Sequence, residues 1–336
     1  MTELPGERLS PRPAQSVTKK SSVSHRVTAI LLHMFYRNAI LIAAAMLAVI
    51  CSRGAWSSAR GPCDESLTRR IPARAPNALG GRAFAEQLRG ITDDERESII
   101  RRELHAGNIP NFLRQLVPVQ LRPKSVDGAP IDVIICAAPD YLAIGADADY
   151  LLVPMRLGTA LLSANDFGFT LPTPRMVDAI YAQAAAHLVP QPLPAGNEMR
   201  STTYSVRHNA MVSEQRATLG VELGDLIAGD KKDLVLTNRL RSHLDRVAIY
   251  GWHSANGRPI QPLSTVHGWR YADYSHGARL VSTDIFVNGQ RQSIFRALQD
   301  SRLARALSDE GAIADLGGLI EALERRSQSL LTAAIR

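Results

Sequence analysis

VAIYGWHSANGRPIQPLS, residues 247–264, is a pair of β-rich runs hinged on Asn256-Gly257. Asn-Gly between such runs is the strongest short-range hairpin signal, because a tight two-residue turn needs positive φ at both central positions. Residues 247–253 are therefore expected to pair antiparallel with residues 259–263. Asn288-Gly289 repeats the device and turns residues 280–287 back onto 290–295. Residues 233–237 add a further strand, and residues 298–336 read as helical and amphipathic.

Upstream the apolar period changes. Thr92 and Glu95 make a T-x-x-E capping box that opens a helix through DDERESIIRRELHA, with Ile99, Ile100 and Leu104 as its stripe and Gly107 as its stop. Thr173 is an N-cap with Pro174 at the first helical position, and Met176, Val177, Ile180, Tyr181, Ala184 and Leu188 follow at helical spacing. Residues 117–121, 131–136 and 149–155 read as strands, the second apolar enough to be central. The expected class is α+β, a helix-rich N-terminal half packed with a mainly antiparallel sheet in the C-terminal half. A linker at 60–81 precedes a lobe at 82–190. The Pro-rich stretch 189–197 is the expected seam before a β-rich lobe at 198–336 with C-terminal helices.

Residues 38–50, NAILIAAAMLAVI, carry no charge. The run is short for a spanning helix, which needs roughly 20 apolar residues, and suits the core of a secretory signal, where about 7–15 suffice. A start at Met34 makes MFYRN the basic leader and Ser57-Ser58-Ala59 the cleavage site. Residues 1–33 are then a disordered extension or a mis-assigned start, and 34–59 a signal peptide or anchor. The alternative is a membrane anchor through residues 28–51, with Arg37 near mid-membrane. The mature chain is expected in the periplasm or outside the cell. With Cys51 removed, Cys63 and Cys136 are an even pair in a compartment that tolerates disulfides, and a bond would tie the mature N-terminus to the first sheet. The alternative leaves Cys136 a buried free thiol.

The net charge of +7 belongs to the leader. Residues 1–62 hold eight of the 39 basic residues and two of the 32 acidic ones, so the rest carries 31 against 30. The electrostatic footprint of a nucleic-acid binder is missing from the folded part. Contact with a membrane is expected only through the N-terminal segment.

Five of nine histidines fall between residues 208 and 276, and residues 250–281 crowd His, Tyr, Trp, Asp and Arg together. Adjacent strands would bring His253, His267 and His276 together. Two imidazoles and a carboxylate, His267, Asp273 and His276, can hold one divalent metal with a position left for water. Without metal, Asp273 can orient an imidazole as general base while His253 and Arg279 position an acidic or carbonyl group. His208 and His243 are weaker candidates. Asp140, Asp147 and Asp149 lack the remaining ligands of a calcium loop and read as a solvated loop. Gly229-Asp230-Lys231-Lys232-Asp233 lacks the phosphate-loop frame and reads as a surface turn, with Lys232 within possible reach of the site.

His267-Gly268 followed by Ser275-His276-Gly277-Ala278-Arg279 resembles the HG…SHGC-R signature of L,D-transpeptidases, over about 14 residues. That resemblance implies a peptidoglycan-facing surface. Ala278, however, stands where the family has its nucleophilic cysteine, and the interval from His267 to Ser275 is shorter than the family's. Without the thiol no acyl-enzyme forms. KKDLVLTNRL, VAIYGWH, RPIQPLS and YADYSHGARLV are together similar to a block in exported bacterial proteins of unassigned function, which implies no named activity. The expected function is that of an exported envelope protein hydrolysing an envelope or extracellular polymer with a His/Asp site. The alternatives are a non-catalytic module for a glycan, peptide or small polar ligand, and a structural subunit docking through its C-terminal helix.

Overall fold

Both Asn-Gly hairpins form, but in two different sheets. The computed structural model describes residues 61–121 and 131–333; the apolar run at 38–50, the cleavage site and the alternative anchor at 28–51 lie outside them. Among the described residues no helix is long and apolar enough to cross a membrane. Residues 60–336 form one unit of α+β class.

The first sheet is built around β2, Val133–Ala137, which the sequence marked as central. It pairs antiparallel with β1, Val117–Leu121, on one side. On its other side stand β12, Val281–Ser282, and β13, Asp284–Val287. β14, Gln290–Ser293, closes the hairpin on β13, and β5, Phe169–Thr170, pairs with β12. Residues 280–287 were expected as one strand. They break at Thr283, whose amide (3.1 Å) and hydroxyl (2.8 Å) both donate to the Gly168 carbonyl.

The second sheet runs β10-β9-β8-β11. β9, Ile249–His253, and β10, Pro259–Ser264, are the 247–264 hairpin. β8, Lys232–Leu234, pairs antiparallel with β9 and parallel with β11, His276–Gly277. A separate hairpin joins β3, Ala143–Ala146, to β4, Asp149–Leu152, and β6, Ala186–His187, lies parallel to β7, Ile227–Ala228.

Two expected boundaries do not divide the structure. β2 precedes the seam at 189–197 and β12 and β13 follow it, so one sheet draws on both sides. The stretch at 60–81 is no free linker: Cys63, Leu67 and Ile71 are buried, and Cys63 is disulfide-bonded to Cys136 on β2 across a Cα–Cα distance of 5.4 Å. Helices are also spread through the chain rather than gathered in its first half.

Among the described residues six helices have seven or more residues: α1 Gly81–Gln87, α2 Asp93–His105, α3 Leu157–Phe167, α4 Pro174–Gln183, α5 Thr202–Leu219 and α6 Leu316–Ala333. The capping box of α2 is complete: the Thr92 hydroxyl accepts from the Glu95 amide (3.3 Å) and the Glu95 carboxylate accepts from the Thr92 amide (3.0 Å). Thr173 caps α4 through the Met176 amide at 3.3 Å. That helix stops at Gln183 instead of Leu188, because Ala186 and His187 pair with β7. The sequence did not announce α5. Its buried positions are Ser205, His208, Val212 and Arg216, a helical stripe that is mostly polar and so invisible to an apolar-periodicity search. α6 spends its apolar face on the core through Leu316, Leu319 and Leu323. It lies close to α3, where a Cβ on Gly158 would stand 2.5 Å from the Ser327 Cβ. Leu316, Leu319 and Leu323 of that face are thus occupied within the chain.

Candidate functional site

The site region grows from the parallel pairing of β8 and β11, which sets His276 beside Lys232 and Gly277 beside Asp233. Gly277 is required here by close approach: a Cβ would lie 2.5 Å from the Tyr141 ring. The Tyr141 hydroxyl donates to Asp233 Oδ2 (2.9 Å), and the Arg279 guanidinium lies 4.2 Å over the same ring. Arg279 is fully buried and donates to the Ala138 carbonyl (2.9 Å) and the Ile227 carbonyl (2.8 Å), with Nε 3.9 Å from Asp233 Oδ1. Its donors are spent inside the protein. The S-H-G-x-R spacing thus builds a buried joint between β11 and Tyr141, and Arg279 has a structural post rather than the ligand-steadying one expected of it.

His267, Asp273 and His276 are brought into one neighbourhood by Tyr271. The phenol ring stacks on His267 with centroids 4.2 Å apart and meets His276 edge-on at 5.7 Å. Its hydroxyl donates to Asp273 Oδ2 (2.9 Å), while Asp273 Oδ1 accepts from the Ser275 amide (2.8 Å) and hydroxyl (2.5 Å). Both carboxylate oxygens are thereby engaged. Among the described residues no group of three or more His, Cys, Asp or Glu side chains stands where it could hold a metal ion. The expected trio shares one neighbourhood around Tyr271.

Its electrostatics are those of an acid–base pair at rest. Burial pushes the Asp273 carboxyl up, but the His276 imidazole, the Ser275 hydroxyl, Lys232 and the Ser275 amide outweigh it and hold it below the ordinary value. His276 is buried, and neither ring nitrogen has a hydrogen-bond partner among the described residues. Burial lowers its pKa to about 4, with Asp273 only partly opposing. The ring is neutral at pH 7. Because the folded value lies below the ordinary 6.5, His276 supports folding above pH 6.5, and that support is lost as pH falls toward 4. The stability of His276→Gln relative to wild type is therefore expected to shift in the variant's favour between pH 6.5 and 4, by up to roughly 1.4 kcal/mol per pH unit. Urea unfolding at several pH values checks this, and a difference independent of pH refutes it.

His253 stands apart from that group. Its Nε2 lies 3.0 Å from Asp178 Oδ1, and Tyr250 donates to the same carboxylate (2.9 Å). Tyr181 is sandwiched between His253 and His187, each at 4.2 Å. On β8, between the two neighbourhoods, burial raises the Asp233 carboxyl to about 6 against the pull of Arg279 and Tyr141.

Of the stretch read as a solvated loop, Asp147 and Asp149 are half-buried at the turn into β4, while Asp140 is interior, as is most of the stretch at 229–233 read as a surface turn. Asp140 is fully buried and paired with Arg216 of α5 at 2.5 Å, while Asp147 accepts from the Phe112 amide at 3.2 Å and Asp149 from the Arg82 amide at 3.1 Å. In the 229–233 stretch Asp230, Lys231 and Asp233 are all buried. Lys231 Nζ donates to the Tyr274 carbonyl (2.6 Å) and lies 3.1 Å from His208 Nδ1. Burial lowers Lys231 to about 8, and burial, then Lys231, lowers His208 to about 2. Burial, then Asp140, raises Asp230, whose two oxygens have no partner among the described residues. Lys232 instead lies over Trp252 at 4.7 Å. Trp252 holds φ +54°, a strained setting for so large a residue, and its indole donates to the Asp230 carbonyl (3.0 Å).

Surface access comes from a direction that the sequence did not indicate. A cleft of about 730 Å³ opens between the start of α2 and the start of α5, lined among others by Arg89, Asp93, Arg96, Arg200, Thr202 and Tyr271. A smaller cavity shares Leu88, Arg96, Arg200 and Thr202 with the cleft and reaches Ala272 and Asp273. The two cavities thus share part of their walls, and Asp273 lines the smaller one. Arg200, in the turn before α5, lies 5.8 Å from the Tyr271 ring. Of these lining residues, Tyr271, Ala272 and Asp273 lie in the stretch singled out in sequence. No protein-family model, curated protein or solved structure matches the chain.

Proposed function

We propose that the chain is an exported, envelope-associated protein that binds a polar ligand, derived from a cell-envelope polymer, in the cleft between α2 and α5. The observation that carries this reading is the open cleft lined by Tyr271, whose hydroxyl donates to the ionised Asp273 (2.9 Å). Export is supported by the Cys63–Cys136 disulfide, since such bonds persist in oxidising compartments.

A hydrolytic reading has one specific support. His276 is a neutral imidazole with unpartnered nitrogens next to an ionised carboxylate, the protonation states a general base and its orienting acid need. Tyr271 covers that pair, so turnover requires its ring to move aside. Binding requires no such motion and is the function proposed. The test is capture of soluble glycan and peptide fragments of bacterial cell wall by wild type and Tyr271→Ala. The expected result is binding by wild type that weakens about tenfold or more in the variant. Unchanged capture by Tyr271→Ala overturns the assignment of the cleft. Fragment cleavage that His276→Gln abolishes while binding persists would move the conclusion to hydrolysis.

A further inference from the structure

Resting on the cleft as the binding site, we infer that the group it recognises is an oxyanion, a carboxylate or phosphate carried by the ligand. The chemistry lies in how arginines are shared. Asp93 is paired with both Arg96 (3.2 Å) and Arg200, and Asp94 with both Arg156 (2.5 Å) and Arg270. Four guanidinium groups thus answer to two carboxylates. Glu97 is fully buried, and burial raises its pKa despite Thr159, Arg156 and Arg96. Arg89 at the rim has its own partner, Glu86, at 2.7 Å. The cleft lining itself carries Arg89, Arg96 and Arg200 against one carboxylate, Asp93.

Three lining features make that shortage specific. Arg96 keeps a buried Nε without a hydrogen-bond partner among the described residues, although its Nη1 donates to the Arg200 carbonyl (2.6 Å). The Arg200 side chain is 42% exposed, enough to turn toward a ligand while its Asp93 contact is shared with Arg96. The first turn of α5 adds the Thr202 and Thr203 backbone, and it carries no acidic residue to neutralise the positive end of the helix. The first turn of α2, by contrast, holds Asp93, Asp94 and Glu95. Guanidinium groups that grip a planar or tetrahedral oxyanion through paired N–H donors give both affinity and orientation.

The test titrates the purified full-length protein with inorganic phosphate and, separately, with acetate, following the amide resonances of Thr202 and Thr203 and the Arg96 and Arg200 side-chain Nε–H signals. Saturable shifts with at least one of the two anions are expected, weakened about tenfold in Arg200→Gln and unaffected in Arg291→Gln, an exposed arginine of β14 that does not line the cleft. A preference for phosphate identifies phosphate-bearing ligands, and a preference for acetate identifies carboxylate-bearing ones. No saturable shift with either anion, or shifts equal in Arg200→Gln and wild type, overturns the inference. The two readings fail separately: if anions do not bind but Tyr271→Ala still weakens capture of wall fragments, the cleft stands as a site for an uncharged ligand.

Discussion

Replacing Arg279 by methionine is expected to destabilise the protein by about 3–5 kcal/mol, the usual consequence of removing one partner from a buried, hydrogen-bonded charge arrangement. Arg279 serves two backbone carbonyls, the face of Tyr141 and the Asp233 carboxylate at once. Methionine fills much of the volume but leaves both carbonyls short of a donor and Asp233 buried without its cation. Lysine keeps the charge and loses the planar fork, so Arg279→Lys is expected to lose roughly 2 kcal/mol or more. In Asp233→Asn/Arg279→Met the combined loss should be smaller than the sum of the single losses, since the double variant no longer strands a carboxylate. Urea denaturation of the four proteins decides the matter. A fully stable Arg279→Met protein that had lost ligand binding would instead return Arg279 to the site, against the structural post described above.

The second large effect is expected from the disulfide. Cys63 and Cys136 are 73 residues apart in sequence, and chain-entropy reasoning for a loop of that length gives about 4 kcal/mol of stabilisation, within the 2–5 kcal/mol lost when such bonds are removed from secreted domains. Cys63→Ala/Cys136→Ala is therefore expected to unfold at markedly lower urea, and wild type in excess reductant should move to nearly the same midpoint. The geometry explains why one bond has so large a reach. It ties the segment at 60–81, which has only a few buried side chains of its own, to β2, the strand that holds the first sheet together. Identical unfolding curves for oxidised, reduced and double-alanine protein would show that packing alone holds that segment.

How legible each part was depended on the range of the interaction that specifies it. The capping box of α2, the Thr173-Pro174 opening of α4 and the two-residue Asn288-Gly289 turn are each specified by residues within a few positions of one another and form as local chemistry dictates. Asn256-Gly257 also reverses the chain, but inside a five-residue loop in which Gly257 alone of the pair takes positive φ. α5 escaped notice because its buried stripe is polar: Arg216 is bought into the core by Asp140, a residue 76 positions away. The same pairing made Asp140 look like a loop residue, and the interior setting of Asp230 and Lys231 was hidden for the same reason. A charged side chain reads as exposed until its partner is known.

The site divides along the same line. Residues 250–281 stood out by composition, and His267, Asp273 and His276 do gather around Tyr271, a residue inside that stretch. His253, equally prominent in sequence, goes to Asp178 instead, because β9 lies between β8 and β10 and so on the far side of β8 from His276. Arg96 and Arg200 line the cleft only because two helix beginnings, more than 100 residues apart in the chain, face each other.

By itself, then, the sequence determined what short-range stereochemistry can determine: where the well-capped helices begin, where hairpins turn, the α+β class, and a cysteine pair able to bond. Only the tertiary structure decided that the strands from both halves share one sheet, that Arg279 and Asp140 are interior, and that the cleft beside Tyr271 is lined by arginines of α2 and the turn before α5. Those outcomes rest on contacts between residues far apart in sequence, and the free energy of burying a charge is set by its partner rather than by its neighbours along the chain.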